Sequence, residues 1–297
     1  MSNFLDIKDL NKDQLNEILS NAKKWKERGS PKLLTDKNIM LIFEKPSLRT
    51  RVSFEVCIKQ MGGEVNILNS TEFKLGERES VYDTAKVLER YVDMIVIRSF
   101  DHLMLNQFAS SINIPVINAL TDHSHPCQVI ADLMTIRENF KNLRNLKISW
   151  FGDFNNVTQS WIEASVLMGI NFFVACPQKV FPSDNIFNWI KKNNGKIYFS
   201  EDIKLVADQA DCILTDTWIS MGDKKDKSVK TFRNFQVNRK IMDMAKSNAI
   251  FMHCLPAHRG MEVSKEIIES QNSVIFDQAE NRLHAQKAII NHCFLKK

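Results

Sequence analysis

The chain has 297 residues, of which 25% are charged, and 40 Lys and Arg against 35 Asp and Glu give a formal net charge of +5. Its length predicts two domains or one large one, with a hydrophobic core that is stable without disulfides or structural metals. A surplus of five cations favours anionic small molecules but is too dispersed for a nucleic-acid or membrane surface. No apolar run approaches the ~18 residues that span a bilayer, and the acidic N-terminal segment lacks the apolar core of a secretory signal. We therefore expect a cytoplasmic protein with no nucleic-acid or membrane partner.

The six cysteines are scattered along the chain and form no CxxC pair. This spacing argues against a disulfide scaffold and against a zinc ribbon, so we expect reduced thiols. The cysteines are Cys57, Cys127, Cys176, Cys212, Cys254 and Cys293.

Short apolar runs alternate with stretches of helical length along the whole chain. The predicted strands are Ile39–Phe43, Val65–Leu68, Met94–Ile97, Val116–Ile117, Leu146–Phe151, Phe172–Ala175, Ile197–Phe199, Cys212–Leu214, Ile250–Met252 and Val274–Phe276. Predicted helices include Thr50–Met61, Val81–Tyr91 and Gln128–Phe140. The alternation predicts an α/β protein with two doubly wound parallel-sheet domains joined by helices. We expect domains at 1–137 and 138–277, with a C-terminal helix at about 278–297 that packs back on the first domain.

Polar clusters follow six of these predicted strands. In open parallel sheets ligands bind past the carboxyl ends of the strands, so the clusters mark an expected functional rim. They are EKPSLRTR after Phe43, Arg98 after Ile97, NALTDHSHPCQ after Ile117, GDFNN after Phe151, TDTWISMG after Leu214 and HCLPAHRG after Met252.

The first cluster has the chemistry of an anion site. Ser47 can cap a helix whose free backbone N–H groups, together with Arg49 and Arg51, form a phosphate cradle without glycines. A capped surface helix with solvated arginines is the competing interpretation. Arg98 favours the cradle, because a charge at the end of an apolar strand needs an anion or a carboxylate partner.

The third cluster offers hydrogen-bond donors at another helix start. His125 can donate to a developing oxyanion, and Gln128 can bind a planar carbamoyl-like ligand through its amide. A metal site of His123, His125 and Cys127 would use the same segment. It is disfavoured because no second Cys/His pair has zinc-ligand spacing.

The segments around Cys254 and Gly152 each suggest a different chemistry. Cys254 beside His253 could be a nucleophile, but neighbouring residues on a strand point to opposite faces. The GDFNN segment could bind a dinucleotide, but it lacks the GxGxxG spacing that the pyrophosphate needs.

In order along nearly the whole chain, these clusters resemble the motifs of the aspartate/ornithine carbamoyltransferase family, and within it those of the ornithine branch. The matching segments are FEKPSLRTR at 43–51, DHSHPCQ at 122–128, GDFNN at 152–156, DTWISMG at 216–222, HCLPAHRG at 253–260 and ENRLHAQKA at 280–288. The resemblance implies that residues 1–137 bind carbamoyl phosphate and residues 138–277 bind ornithine, with two α/β domains closing over the pair. It also implies a trimer or a multiple of trimers with active sites at subunit interfaces, and no metal or organic cofactor.

The implied reaction transfers the carbamoyl group of carbamoyl phosphate to the δ-amine of L-ornithine, giving L-citrulline and phosphate. We expect a role in arginine biosynthesis, although the same residues serve the reverse direction. The resemblance implies catalytic roles for Arg98, His125 and Cys254. It places ornithine on Asn156, Asp216, Ser220 and Met221. It places carbamoyl phosphate on Ser47, Leu48, Arg49, Thr50, Arg51, Lys74, Arg98, His125, Pro126, Cys127, Gln128, Cys254, Leu255 and Arg282.

The chain departs from the family pattern at three positions. Leu48 stands where the family usually has Thr, Phe154 replaces a small residue, and Lys74 stands where ornithine enzymes usually carry Gln. We hypothesise that Lys74 contacts the phosphate, across a subunit boundary; a solvated lysine on a loop is the competing interpretation.

Several functions remain open at this point. A relative could carbamoylate N-acetylornithine, putrescine or aspartate, or could be a non-catalytic binding protein. Asp216 favours free ornithine, because its carboxylate needs an α-ammonium group to pair with. The charge run at 223–231 is either a solvated face or part of a lid over ornithine.

Overall fold

The computed structural model describes residues 2–71, 73–141, 143–219 and 228–295. The chain forms two compact units, which we call unit 1 (residues 1–134 and 280–297) and unit 2 (residues 135–279). Each unit is built around one parallel β-sheet.

The sheet of unit 1 has the strand order β2-β1-β3-β4. Its strands are β1 Asn38–Phe43, β2 Glu64–Asn69, β3 Met94–Arg98 and β4 Val116–Leu120. Its helices are α1 Lys12–Arg28, α2 Leu48–Gln60, α3 Val81–Leu88 and α4 His102–Ser110, with a 3-10 helix at Ile7–Asp9. Strand β1 pairs with β2 on one side and with β3 on the other, so the topological switch point lies at the carboxyl ends of β1 and β3.

Helix α5 (Pro126–Asn139) begins in unit 1 and ends in unit 2. The sheet of unit 2 has the order β7-β6-β5-β8-β9, with its switch point between β5 and β8. Its strands are β5 Lys147–Phe151, β6 Asn171–Ala175, β7 Ile197–Ser200, β8 Cys212–Thr215 and β9 Ile250–His253. Its helices are α6 Asn156–Met168, α7 Asp184–Lys192, α8 Ile203–Ala207, α9 Arg239–Met244 and α10 Lys265–Ile268, with 3-10 helices at Gln178–Val180 and Val229–Phe235.

Strand burial explains why the apolar runs predicted the sheets. Every residue of β3 and of β8 is buried, as expected for parallel strands covered by helices on both faces. The predicted α/β class is therefore confirmed. Within the described ranges, no helix is long and apolar enough to cross a membrane.

One predicted strand, Val274–Phe276, is wrong. Ser273 forms a single parallel bridge with Phe251 of β9, and the chain then enters α11 (Ile275–Leu295). The backbone N–H of Phe251 donates to Asn272 at 2.8 Å and that of Val274 donates to Phe251 at 3.0 Å. The short apolar run therefore touches the sheet and immediately becomes the first turn of a helix, an ambiguity that periodicity does not resolve in so few residues. Predicted strand Val116–Ile117 also continues to Leu120.

Candidate active site

In unit 1, polar side chains gather at the switch point between β1 and β3. The hydroxyl of Ser47 caps α2 and accepts a hydrogen bond from the Thr50 backbone N–H at 3.2 Å, which confirms the predicted cap. Arg98 ends β3 and is buried, opposite Phe43 in the register of β1 and β3. The capped helix therefore starts beside a buried guanidinium group.

Two buried guanidinium groups share one hydroxyl oxygen at this place. Arg98 Nη1 and Arg282 Nη2 each lie 3.4 Å from Thr50 Oγ1. Arg282 Nη1 also donates to Gln128 Oε1 at 2.6 Å, and Gln128 Nε2 donates to Asp132 Oδ1 at 2.8 Å. These contacts fix the amide of Gln128 between a guanidinium and a carboxylate. The cluster, with two cations side by side, is suited to bind an anion.

His125 is buried just before α5. Burial, together with the nearby cations Arg282 and Arg98, holds the pKa of His125 well below its usual value. The imidazole is therefore neutral at neutral pH and can donate its one N–H to a carbonyl oxygen or an oxyanion.

The other predicted carbamoyl phosphate residues of the two motifs differ in exposure. Leu48 is 76% exposed, and Arg51 is exposed while Arg49 is half-buried. Pro126 is the first residue of α5, where its missing N–H costs no hydrogen bond. The Cys127 thiol is buried and donates to the Asn118 carbonyl at 3.3 Å, and burial raises its pKa to about 12. Its side chain therefore ties α5 to β4 rather than facing a ligand.

Lys74 lies on an exposed turn, where its Nζ is 3.4 Å from Glu77 Oε1. Glu44, which was not among the predicted site residues, anchors this turn. Glu44 Oε1 accepts from the Leu75 backbone N–H at 3.0 Å, and Oε2 accepts from the Ser99 hydroxyl at 2.5 Å. One carboxylate thus links the loop after β1, the residue after Arg98 and the turn that carries Lys74.

In unit 2, a second cluster lies at the ends of β5, β8 and β9. Asp216 is buried, and its two carboxylate oxygens accept from different side chains. Asn155 Nδ2 donates to Oδ2 at 2.8 Å, and the Cys254 thiol donates to Oδ1 at 3.0 Å. Asn155 also caps α6, because its Oδ1 accepts from Val157 N at 3.0 Å and Thr158 N at 3.1 Å. The sequence pattern pointed to the adjacent Asn156 and missed Asn155.

The position of His253 does not support a nucleophilic role for Cys254. The His253 Nδ1 atom accepts from the Leu255 backbone N–H at 2.9 Å, and Nε2 donates to Glu262 at 3.2 Å. Both ring nitrogens are thus engaged away from the thiol. Leu255 has a φ of +58°, a left-handed conformation that this hydrogen bond helps to hold.

Two predicted ornithine residues, Ser220 and Met221, lie outside the described residues, as does 223–227 of the charge run. The metal site of His123, His125 and Cys127, an alternative that the sequence spacing disfavours, is not among the groups of potential metal ligands found in the described ranges. Within the described ranges, His123 groups with Asp6 and His102 rather than with His125 and Cys127.

Both halves of the chain match domain models of one protein family. Residues 2–138 match the family model of the carbamoyl phosphate-binding domain of aspartate/ornithine carbamoyltransferases, and residues 144–293 match that of the Asp/Orn-binding domain. Together with the parallel sheets and the arginine cluster, these matches define a carbamoyltransferase with two α/β domains.

Individual relatives agree over the full length. The ornithine carbamoyltransferase of Nitrobacter winogradskyi is 46% identical, covering 98% of this chain and 96% of that protein. The enzyme of the same name from Methanobrevibacter smithii is also 46% identical, with complete coverage of both chains. Among solved structures, ornithine carbamoyltransferase from Pyrococcus furiosus superimposes with a TM-score of 0.92 at 42% identity, covering 97% of this chain and 96% of that one. The anabolic enzyme from Campylobacter jejuni gives 0.94 at 37% identity over 99% of both chains. The chain belongs to the aspartate/ornithine carbamoyltransferase family, which confirms the resemblance seen in the sequence.

Proposed function

We propose that this protein transfers the carbamoyl group of carbamoyl phosphate to the δ-amine of L-ornithine, giving L-citrulline and phosphate. The observation that carries the proposal is the buried cluster in which Arg98 and Arg282 share Thr50 Oγ1. It presents two guanidinium groups to an anion beside a capped helix N-terminus. The relatives at 46% identity are named for this activity.

Unit 1 binds carbamoyl phosphate in this proposal. The phosphate lies at the N-terminus of α2, where backbone N–H groups and the helix dipole favour an anion. The carbamoyl group lies against Gln128, whose amide is already oriented by Arg282 and Asp132. The residues assigned to this ligand are Ser47, Leu48, Arg49, Thr50, Arg51, Lys74, Arg98, His125, Pro126, Gln128 and Arg282, with Cys127 contributing through its backbone.

Unit 2 binds ornithine. Asp216 pairs with the α-ammonium group, and Asn156 binds the α-carboxylate; Ser220 and Met221 stay predictions from the sequence. Asn155 and Cys254 support this assignment because they hold both oxygens of the Asp216 carboxylate in place. As predicted from the sequence, Cys254 and Leu255 are also assigned to the carbamoyl phosphate side, with Cys254 in a catalytic role; the Cys254 thiol in addition orients Asp216.

The chemical step follows from these placements. The lone pair of the neutral δ-amine attacks the carbamoyl carbon, and a tetrahedral intermediate forms with negative charge on the former carbonyl oxygen. Arg98, Thr50 and neutral His125 donate to that oxyanion. The C–O bond to phosphate then breaks, phosphate leaves with the electron pair, and the amine proton passes to the leaving phosphate. Arg49 and Arg51 stabilise the phosphate charge.

The test is product formation by the purified protein from carbamoyl phosphate and ornithine, N-acetylornithine, putrescine or aspartate in parallel assays. We expect citrulline from ornithine alone. Turnover of another amine instead would overturn the assignment of ornithine, and no turnover of any amine would overturn the enzymatic assignment. In Arg98→Met we expect at least a 100-fold loss of kcat, by analogy with the loss of about 10²–10³ when one oxyanion donor is removed. The control Arg239→Met changes an exposed arginine on α9.

We also propose that the protein is a homotrimer or a multiple of trimers in the cytoplasm, where it serves arginine biosynthesis. The cytoplasmic location is supported by the six cysteines, all of which are thiols rather than disulfides, as expected in a reducing compartment. Light scattering after size-exclusion chromatography tests the assembly, and a monomer or a dimer would contradict it.

A further inference from the structure

Unit 1 contains a second cluster of side chains that the carbamoyl phosphate site does not use. Asp6, just before the first 3-10 helix, lies beside His102 at the start of α4 and His123 in the loop after β4. One ligand atom from each lies within 4.8 Å of the other two. His102 Nε2 is 3.2 Å from Asp6 Oδ2, and the two imidazole rings have centroids 4.8 Å apart.

Two neighbouring hydroxyl groups already orient these side chains. His102 Nδ1 is 3.0 Å from Thr121 Oγ1, and Asp6 Oδ1 accepts from the Ser124 hydroxyl at 2.5 Å. Metal-binding histidines and carboxylates are commonly held in this manner through the atom that does not touch the metal. The contacts leave His102 Nε2 and Asp6 Oδ2 facing each other, on the side where His123 lies.

The cluster also has room for an ion and its water. It lines an open cavity of about 510 Å³, whose wall includes Lys8, Asp9 and Asp101. Asp6 is buried and His102 is partly buried, whereas His123 is exposed on its loop. A partly open site of this kind leaves coordination positions for water.

We propose that Asp6, His102 and His123 bind a divalent transition-metal ion of borderline softness, represented by Zn²⁺. Two imidazoles and one carboxylate are a ligand set that Zn²⁺ accepts, with water completing the tetrahedron. Ligand atoms around tetrahedral zinc are about 3.3 Å apart, close to the 3.2 Å between His102 Nε2 and Asp6 Oδ2, so binding requires mainly that His123 approach these two atoms. The exposed His123 provides that movement. His102 binds through Nε2, which is then deprotonated, while Nδ1–H donates to Thr121.

In the metal-free protein, Lys8 pairs with Asp6 and so competes with the ion for this carboxylate. Its Nζ lies 3.1 Å from Asp6 Oδ2, the oxygen that the metal needs. The lysine is 40% exposed and can swing into solvent when the ion enters. A variant without this charge therefore binds the ion more tightly, an effect opposite to that of removing a ligand.

The ion ties three separate parts of unit 1 together: the N-terminal segment, α4 and the loop that leads to His125. His125 follows His123 by two residues. Metal binding therefore restrains the loop that carries His125, a residue of the carbamoyl phosphate cluster. The metal site and that cluster share no ligand residue.

The experiment is a titration of the untagged, metal-free protein with Zn²⁺ by calorimetry, and with Co²⁺ by absorption spectroscopy. We expect a site with cobalt d–d bands and no sulfur-to-cobalt charge transfer. His102→Gln and His123→Gln each lose at least 100-fold in affinity at this site, and Thr121→Val loses about 10–100-fold because the orientation of His102 is lost. Lys8→Gln gains several-fold.

Two controls separate this site from other metal ligands. His258→Gln removes a half-exposed histidine of unit 2 and leaves the affinity unchanged. Binding at the other candidate group, Asp216, His253 and Cys254, would show a sulfur-to-cobalt band. His123→Gln alters an exposed loop residue, so its loss of binding is not a failure to fold. Unchanged affinity in both His102→Gln and His123→Gln, or cobalt bound only with the sulfur band, would overturn the proposal.

Discussion

Asn155 offers a way to disturb Asp216 without disturbing the helix beside it. Its Oδ1 caps α6 through Val157 and Thr158, while its Nδ2 donates to Asp216 at 2.8 Å. Serine is as good a helix cap as asparagine but has no donor that reaches so far. Asn155→Ser therefore keeps the cap and removes one of the two contacts that orient the carboxylate.

The size of the effect follows from the charge of the acceptor. A hydrogen bond to a charged group contributes about 1.5–3 kcal/mol. Asn155 is half-buried, so water replaces part of the lost contact and the lower end of that range applies. Because 1.4 kcal/mol corresponds to a factor of ten, the KM for ornithine should rise about tenfold. The KM for carbamoyl phosphate, which we assign to unit 1, should stay the same.

The assay is steady-state citrulline formation with each substrate varied in turn. Asn238→Ser is the matched control, because Asn238 caps α9 through Ile241 in the same unit. Urea unfolding of Asn238→Ser reports the cost of the cap exchange, and the additional loss of unfolding free energy in Asn155→Ser reports the missing hydrogen bond to Asp216. An unchanged KM for ornithine in Asn155→Ser would refute the idea that Asn155 positions Asp216 for the α-ammonium group. An equal rise in both KM values would refute the division of ligands between the units.

Three further predictions test different parts of the structure. Lys74→Gln should raise the KM for carbamoyl phosphate several-fold if Lys74 contacts the phosphate, whereas Lys59→Gln, an exposed lysine of α2, should not; unchanged affinity in Lys74→Gln counts against the contact. Burial raises the pKa of Glu262, but hydrogen bonds from His253 and the His258 backbone outweigh this effect and hold the pKa below its usual value. Because these hydrogen bonds stabilise the charged carboxylate, Glu262→Gln should destabilise the protein by about 3 kcal/mol at pH 7. That contribution is present above pH ~4.3 and is lost as the pH falls through the lowered pKa, so the difference between wild type and variant in urea unfolding should shrink there; a constant difference would contradict this. Gly152→Ala should lower the free energy of unfolding by about 1–3 kcal/mol more than Gly169→Ala in the same assay. Both glycines have a positive φ, but only at Gly152 does a new Cβ lie 2.9 Å from Trp218 Nε1. Equal losses in the two variants would argue against the clash.

Features that depend on local pattern are predictable from the sequence. Ser47 is expected to cap a helix because a polar residue between a strand and a helical stretch has that function. Arg98 is conspicuous because a cation ends an apolar strand, and the structure places it at the switch point of a parallel sheet. Both follow from neighbours in the sequence.

Features that depend on side-chain direction are not predictable from the same patterns. In the Asn155-Asn156 pair, only the geometry of the helix start decides which amide caps α6 and reaches Asp216. The segment at Val274 is apolar enough for a strand, but after one bridge to Phe251 it turns into α11. The contact between Gln128 and Asp132 could have been predicted, since Asp132 follows Gln128 by four residues on the apolar helix α5 and so lies on the same helix face.

The buried cluster of unit 1 shows why the site chemistry is easier to infer than its energetics. Burying Arg98 and Arg282 close together is unfavourable, since like charges repel and both lose water. The carboxylate of Asp132 offsets part of this cost, acting on Arg282 through the amide of Gln128. A phosphate group brings about two negative charges and offers several oxygens to the same donors. The arrangement therefore favours the state with a bound anion over the empty one. A purely structural core would exclude Arg98 and Arg282, but here the anion compensates their buried charges.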